Sequence, residues 1–468
     1  MGTGRTAAAS PPASRPAVDR CPGVLRLHDA GDGLLARVRV PGGRLDVLAL
    51  TALADSTALG NGLAELTSRA SVQIRGLAAS AALPLAGVLE RGGLLPSRAH
   101  DRARNVLGSP VAGRLAGSLV ATDSLVSAFD RALCADPLLA SLPARLLFGI
   151  DDGAGLVDLG LVDVGLVAEG GAGAAGSADA GDGALAARDD AAFRIWLDGV
   201  PTGLRCTADE AVELLVQVAH AFLAVRAELA PTAWHVGDLP DGAAALAAAL
   251  GSTVASRAPH APSVTVLKPG TVAQRDGRVA LTALPPLARL EWAQLAGLAE
   301  LLAAEGLADV RLAASRTVTL PDVPVAREAA VRDGLRALGL VVDADSGWRG
   351  LTACSGLGAC RRALIDVRAA AAERAERRGA DAPSEHWSAC ERRCGMKRDV
   401  PIGIVAGETT LAVRVGEQVR EAADVDDALE LLALGRLGAD RISDRAGDAA
   451  GAERGAEPFN LNPEGPTA

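Results

Sequence analysis

Two segments of the chain repeat one pattern. Residues 43–76 and 288–321 each begin with Arg-Leu, continue with the apolar spacing of a helix, pass through Gly-Leu-Ala, and end in strand-like alternation. The alternative is a chance similarity between helices rich in Ala and Leu. A true repeat would mean that a βαβ-like unit is duplicated. It predicts a protein with pseudo-twofold symmetry and a ligand site in the cleft between its halves.

Length and charge limit the class of protein. A chain of 468 residues is too long for one core, and its net charge of −10 disfavours bulk binding to nucleic acid or anionic membranes. The first 18 residues lack the apolar region of a signal peptide, and no apolar run reaches the length of a membrane span. We therefore expect a cytoplasmic protein.

Glu210–Leu229 has the apolar spacing of an amphipathic helix, with Val212, Leu215, Val218 and Phe222 on one side.

Four of the seven cysteines, Cys354, Cys360, Cys390 and Cys394, form a C-x5-C pair and a C-x3-C pair. Structural zinc favours pairs two to four residues apart, and disulfides are rare in a reducing compartment. An iron–sulfur cubane accepts wider spacing, because each thiolate binds a different iron. A cluster is the favoured interpretation, with zinc and disulfides as alternatives. Cys21, Cys134 and Cys206 are interpreted as buried structural residues.

The pattern TAC-x5-C with a later C-x3-C resembles the sulfite and nitrite reductase family. That resemblance, over about residues 20–440, implies a [4Fe–4S] cluster beside sirohaem, with the last cysteine bridging to the haem iron. It also implies an α+β, pseudo-twofold duplicated, sulfite/nitrite reductase-like architecture, with two ferredoxin-like half units and two larger α/β domains around a central cofactor.

Three further stretches resemble motifs of this family: ARVRVPGG (36–43), LTSRASVQIRG (66–76) and ARNVLGSP (103–110). The resemblance implies that Arg39 faces the tetrapyrrole and substrate, and that Arg104 binds an anionic substrate. The middle stretch would line the cofactor. Taken singly, each arginine is better interpreted as a solvated surface charge, but the three stretches together with the cysteines favour a binding role. The candidates to hold the carboxylates of a tetrapyrrole are Arg37, Arg39, Arg69, Gln73, Arg75, Arg104 and Arg145.

One stretch departs from the reductases. They deliver protons with two lysines in Leu-Pro-x-Lys-x-Lys, but LPARLLFG (142–149) has Arg145 and Leu147 at those positions. Arginine is a poor proton donor and leucine is none, so the anion-reducing site is incomplete.

This departure resembles a branch of the family, the precorrin-3B synthases of aerobic cobalamin synthesis. It implies an iron–sulfur monooxygenase that converts precorrin-3A and O2 to precorrin-3B, with a new hydroxyl at C20 and a γ-lactone. The branch also implies a mononuclear non-haem iron, but the six histidines are scattered without a two-His-one-carboxylate spacing. His28 and His386, which lie nearest to the matched motifs, are interpreted as structural or supporting groups.

No GxGxxG follows a strand, so we expect electrons from a separate ferredoxin or NAD(P)H-dependent reductase. The alternatives are an assimilatory sulfite or nitrite reductase, which would carry sirohaem as well as [4Fe–4S], and a non-enzymatic cluster or zinc protein.

The expected division of the chain is as follows: a disordered tail at 1–18, the first ferredoxin-like half unit at 19–95, the first α/β domain at 96–240 with a flexible insertion at 169–184, the second half unit at 260–335, the second α/β domain with the cluster cysteines at 336–443, and a disordered tail at 444–468.

Overall fold

The computed structural model describes residues 19, 21–170, 192–255, 264–379, 381–396 and 400–433. The two expected tails and residues 171–184 of the expected insertion lie outside the described residues. Glu169, which the sequence places at the start of that insertion, is instead the last residue of a strand.

The first half of the described chain contains ten strands and five helices. In chain order they are β1 (His28–Ala30), β2 (Gly33–Val38), β3 (Arg44–Leu45), α1 (Val47–Thr57), β4 (Leu63–Leu66), β5 (Val72–Leu77), α2 (Ala82–Arg91), β6 (Val106–Gly108), α3 (Asp123–Ala135), β7 (Phe148–Asp151), β8 (Val164–Glu169), β9 (Ala192–Leu197), β10 (Val200–Cys206), α4 (Ala211–Leu229) and α5 (Gly242–Ala249).

The second half repeats this order without an equivalent of α5 in the part that the structure describes. Its elements are β11 (Gly270–Ala273), β12 (Val279–Ala283), β13 (Arg289–Glu291), α6 (Trp292–Glu305), β14 (Val310–Leu312), β15 (Val318–Val323), α7 (Glu328–Ala337), β16 (Leu351–Ala353), α8 (Val367–Arg377), β17 (Glu385–Ser388), β18 (Ile402–Ala406), β19 (Leu411–Val415), β20 (Gln418–Ala422) and α9 (Val425–Ala433).

The repeat forms two five-stranded sheets that exchange a strand. The first sheet has the order β1-β2-β5-β4-β13, and the second has the order β11-β12-β15-β14-β3. β3 pairs with β14, and β13 pairs with β4, both antiparallel. The βαβ-like interpretation was therefore wrong in one respect: the strand before each helix joins the sheet of the other half. Pairing between distant segments is not encoded in the local alternation of side chains, which is why the sequence did not show it.

The two larger sheets also match. They have the orders β10-β9-β8-β7-β6 and β20-β19-β18-β17-β16. In each, the three strands at one end are parallel and the outer two are antiparallel. The loops that follow β6 and β7, and those that follow β16 and β17, therefore leave the carboxyl edges of parallel strands, which is where open α/β sheets place their ligands.

Two packing contacts hold the arrangement. α1 packs against α6 across the pseudo-twofold axis, and the first helix is started by Asp46, whose carboxylate accepts a hydrogen bond from Ala49 N at 2.8 Å. α4 buries Leu215, Val218 and Phe222 against the first large sheet, as the apolar spacing predicts. Val212 is only half-buried.

Candidate functional site

The four paired cysteines lie on two neighbouring loops, 354–360 after β16 and 390–394 after β17. We call these the cysteine loops. β16 and β17 are parallel partners, with Leu351 opposite Glu385 and Ala353 opposite Trp387. Both loops therefore leave the same edge of the sheet, and residues about thirty positions apart in sequence are brought together.

The thiols of these loops influence one another. Burial raises the pKa of Cys354 and of Cys394 above the ordinary thiol value, and repulsion from the neighbouring Cys390 and Cys360 raises both further. Within the described ranges, no group of three or more His, Cys, Asp or Glu side chains is arranged to hold a single metal ion. Four thiolates on a cubane are further apart than four ligands of one ion, because each binds its own iron. The two loops supply four thiols from one edge of the sheet, which is the number of ligands that a [4Fe–4S] cubane takes.

The backbone of the loops also suits a cluster. Gly356 and Gly358 have φ of 71° and 83°, a left-handed backbone that glycine adopts without strain and that turns the loop sharply between Cys354 and Cys360. Ala389 N donates to Cys354 Sγ at 3.2 Å, a kind of bond that stabilises a thiolate. Buried His386 donates from Nε2 to the carbonyl of Cys394 at 3.1 Å and accepts from Thr352 at 2.8 Å. Burial lowers the pKa of His386 to about 4, so the ring is neutral and supports the loop.

The first small sheet presents one face to these loops. Arg75 makes a bidentate ion pair with Asp32, at 3.2 and 3.0 Å, and donates to the carbonyl of Ala359 at 2.7 Å. Arg289, on the exchanged strand β13, pairs with Glu65 at 3.1 Å and reaches the carbonyl of Cys354 at 3.5 Å. The exchanged strand thus connects both halves of the protein to the first cysteine loop.

Glycine allows a close approach at the tip of the β1–β2 hairpin. A Cβ atom on Gly31 would lie only 2.3 Å from Arg361 N and 2.6 Å from the Cα atom of Cys360. The hairpin therefore packs its backbone directly on the cysteine loop, and a side chain at this position would separate the two.

Four of the candidate arginines meet around Cys21, at the end of the same sheet that faces the first α/β unit. Arg37 and Arg39 donate to Cys21 Sγ at 3.2 and 3.7 Å. Arg69 donates to the carbonyl of Arg145 at 2.8 Å, and the guanidinium carbon of Arg145 lies 4.6 Å from the ring centre of Trp234. We call Arg37, Arg39, Arg69 and Arg145 the arginine site.

The positively charged guanidinium of Arg39 has no carboxylate partner among the described residues. Its side chain is buried, with 2% of its residue surface exposed, and it forms no ion pair with a carboxylate in the described ranges. Two of its nitrogens, Nε and Nη1, have no hydrogen-bond partner there. The third donates to Cys21 and to the carbonyls of Pro22 and Ala144. Burial lowers the pKa of Arg39 to about 10. A buried, unpaired guanidinium is costly, and an anion that binds beside it would remove that cost.

The other candidates have different surroundings. Arg104 makes a bidentate ion pair with Asp130, both bonds at 2.7 Å, and donates to the carbonyl of Leu94 at 2.8 Å. Its guanidinium is thus already engaged within the protein, as is that of Arg75. Gln73 lies between Arg37 and Glu65 across the sheet and is half-buried, and its side chain makes no hydrogen bond in the described ranges. Leu147 is fully buried in the core, whereas Arg145 is exposed.

Sequence reasoning missed several groups of this site. Cys21 was interpreted as structural, yet it receives two arginine donors. Asp32, Glu65 and Arg289 position the candidate arginines and the first cysteine loop. Arg289 and Arg44 follow the same Pro-x-x sequence in the two repeats, a signal that could have indicated equivalent roles. Nothing in the sequence indicated which carboxylate each arginine would find.

Comparison with known proteins shows similarity to nitrite and sulfite reductases. Residues 27–91 match the family described as nitrite/sulfite reductase ferredoxin-like half domain. The chain is 25% identical over 446 residues to a ferredoxin–nitrite reductase of Synechococcus elongatus, covering 87% of this chain and 80% of that protein.

The fold is also similar to the solved structure of the NirA protein of Mycobacterium tuberculosis. The TM-score is 0.66 at 20% identity, over 86% of this chain and 79% of that one. Together, the match to one half domain and the relative show that the chain is similar to nitrite and sulfite reductases. The expected fold class is confirmed. None of the helices in the described ranges is both long and apolar enough to cross a membrane.

Proposed function

We propose that the chain is a [4Fe–4S] oxidoreductase that takes a tetrapyrrole as its substrate, and specifically that it is a precorrin-3B synthase. The observation that carries this proposal is the pair Arg145 and Leu147, which stand where a reductase needs two proton-delivering lysines. Leu147 is fully buried, so no group at that position can deliver a proton. Arg145 is exposed and stacked on Trp234, a geometry suited to holding a carboxylate rather than to acid catalysis.

The arginine site supports binding of a polycarboxylate. Precorrins carry acetate and propionate side chains around the ring, and guanidinium groups bind carboxylates through charge-assisted, often bidentate hydrogen bonds. Arg37 and Arg39 already converge on one sulfur atom, and Arg39 has two unused donors in a buried position. A carboxylate there would gain strong bonds and remove an unpaired buried charge. Anchored carboxylates would also fix which carbon of the ring meets the oxidant.

The overall reaction balances as a monooxygenation. One atom of O2 becomes the hydroxyl at C20, and the oxygen of a ring A acetate bonds to the adjacent ring carbon to close the γ-lactone. The double bond between these two carbons becomes a single bond, and the acetate's proton ends on the new hydroxyl. The other oxygen atom leaves as water after it receives two electrons from a donor and two protons. Cys354, Cys360, Cys390 and Cys394 would hold the cluster, which when bound transfers electrons one at a time.

The surface of the cysteine loops supports a negatively charged electron donor. Arg361, Arg362, Arg392 and Arg393 are exposed around the cysteines, and Leu357 and Leu364 expose 46% and 48% of their surface beside them. Basic residues around an apolar centre favour encounter with an acidic protein. We propose a separate ferredoxin or reductase as the partner at this surface, and cytoplasm as the compartment.

A second candidate is an assimilatory nitrite or sulfite reductase with sirohaem. The names of the similar proteins favour it, since one is a ferredoxin–nitrite reductase and the other is NirA. In that case the arginine site would hold the carboxylates of sirohaem as a cofactor. The identities of 25% and 20% are low enough for the activity to differ within one fold.

Colour and turnover separate the two candidates. Protein purified without oxygen should show the broad brown absorbance of a [4Fe–4S] cluster and no haem bands. With precorrin-3A, O2 and a reductant, it should yield a tetrapyrrole heavier by one oxygen atom. Stoichiometric sirohaem together with reduction of nitrite or sulfite would instead establish the second candidate.

A further inference from the structure

A cavity lies where the second small sheet meets the first α/β unit. Its volume is about 230 Å3, and it is lined by residues of α3, by β6 and by the loop before β3. It shares none of its lining residues with the arginine site or the cysteine loops. In the other half of the protein, the corresponding elements are α8, β16 and the loop before β13, which lie beside the first cysteine loop.

The N-termini of the two corresponding helices differ. Asp366 begins α8, and its carboxylate accepts from Arg368 N and Ala369 N at 3.0 and 3.2 Å. Thr122 begins α3 but makes no such bond with its side chain. Its hydroxyl is fully buried, lines the cavity, and has no hydrogen-bond partner in the described ranges. The first-turn N–H groups of α3 therefore lack the negatively charged oxygen that serves α8.

Positive charge surrounds this uncapped helix end. Of the four arginines that line the cavity, Arg104 is neutralised by Asp130, and Arg311 is paired with Asp309 and Asp123. The remaining two arginines, Arg44 and Arg131, are less completely paired with carboxylates. Arg44 shares Asp309 with Arg311, and its side chain is 49% exposed. Arg131 forms no ion pair among the residues that the structure describes.

The one carboxylate in the first turn of α3 is already occupied. Asp123 receives Arg311 at 2.5 and 3.1 Å and Arg114 at 2.9 Å. It therefore adds little negative charge to the cavity itself. Helix N-termini with free N–H groups bind carboxylates and phosphates, and nearby arginines strengthen such binding.

We propose that this cavity binds an oxyanion, a carboxylate or phosphate group, at the N-terminus of α3. The bound oxygen occupies the place that Asp366 supplies from within the chain in the other half, and it accepts from Thr122 and from first-turn N–H groups. Arg131 and Arg44 neutralise the negative charge of the bound oxyanion. Arg104, a tetrapyrrole candidate from the sequence, also lines this cavity, but Asp130 already neutralises it. The proposal rests on Thr122, Arg131 and Arg44, so it does not depend on the proposed function.

The test is thermal unfolding of the full chain with its cluster, in phosphate, malonate or chloride at constant ionic strength. Wild type should unfold at a higher temperature in phosphate or malonate than in chloride, because a ligand of the folded state stabilises it. The anion that gives the larger shift identifies the group as phosphate or carboxylate. The variant Thr122→Asp, which supplies its own carboxylate, should unfold higher without anion and lose the response.

Three variants complete the test. Arg131→Gln should raise the concentration of anion needed for half the effect at least threefold. Thr122→Val, which keeps the shape of the side chain, should also lose the response. Arg278→Gln, an exposed change on the β11–β12 turn, should keep it. The proposal is overturned if wild type responds no more to phosphate or malonate than to chloride, if Thr122→Asp keeps the response, or if Arg69→Gln in the arginine site removes it.

Discussion

Replacing Arg39 with methionine should weaken tetrapyrrole binding while leaving the ligand-free protein about as stable as before. The guanidinium is 2% exposed and unpaired, and burial lowers its pKa well below the ordinary value for arginine, to about 10. A shift of that size corresponds to about 3 kcal/mol of cost to the charged form. Because the folded pKa lies below the unfolded one, this cost is fully present at pH 7. It fades only as the pH rises from the folded value toward the unfolded one.

The substitution removes that cost together with the hydrogen bonds to Cys21, Pro22 and Ala144. These bonds are long, and each contributes about 1 kcal/mol or less. The carbonyl of Ala144 also keeps its bond from Asn105 at 3.1 Å. Gain and loss therefore nearly cancel, and we expect the free energy of unfolding to change by about 1 kcal/mol at most.

The matched control is Arg104→Met. Arg104 is equally buried, but it is paired with Asp130 by two bonds of 2.7 Å. Its removal strands a mostly buried carboxylate, which costs about 3–5 kcal/mol. Urea unfolding and titration with a tetrapyrrole, followed by absorbance, measure both effects. The reasoning is refuted if Arg39→Met loses as much stability as Arg104→Met, or if it keeps wild-type affinity for the tetrapyrrole.

Three further outcomes are expected. Replacing Cys360 or Cys394 by Ser should abolish the iron, sulfide and brown colour of the purified protein, whereas Cys21→Ser should keep them. A colourless Cys21→Ser protein would mean that Cys21 is a cluster ligand, which would contradict the assignment to the cysteine loops. Changing Leu147 to Lys should destabilise the fold by several kcal/mol, because it buries a charge in the core, while Arg145→Lys should be tolerated; equal stability in urea would contradict the burial of position 147. Electron transfer from an acidic donor should slow as the salt concentration rises. It should also be slower in the double variant Arg392→Gln/Arg393→Gln, but not in Arg278→Gln. Rates that do not depend on salt would show that the basic surface does not bind the donor.

The parts of the fold that could be predicted from the sequence are those set by local periodicity. The alternation of residues 72–74 and 318–320, and the apolar spacing between the strands, each specify one element without reference to the rest of the chain. The exchange of β3 and β13 depends on which distant edge accepts each strand, and no local pattern encodes that choice. The cysteines on the two loops were predictable because they belong to a motif that stays close in sequence.

The arginines were predictable as residues but not in their roles. Arg39 and Arg104 both lie in matched motifs, yet only Arg104 meets a carboxylate, on a helix 26 residues further along the chain. Arg75 finds Asp32 on the neighbouring hairpin, and Arg289 finds Glu65 in the other half. Whether an arginine is neutralised by the protein or left for a ligand depends on such long-range partners.

The most direct test of the central claim is to follow an isotope of oxygen into the tetrapyrrole. The anaerobically purified protein is mixed with precorrin-3A, a reductant and 18O2, and the product is examined by mass spectrometry, with Arg39→Met as the binding-deficient control. The account predicts one labelled oxygen atom in the tetrapyrrole product of wild type and much less product from the variant. An unchanged tetrapyrrole, in protein that carries bound sirohaem and reduces nitrite or sulfite, would contradict it.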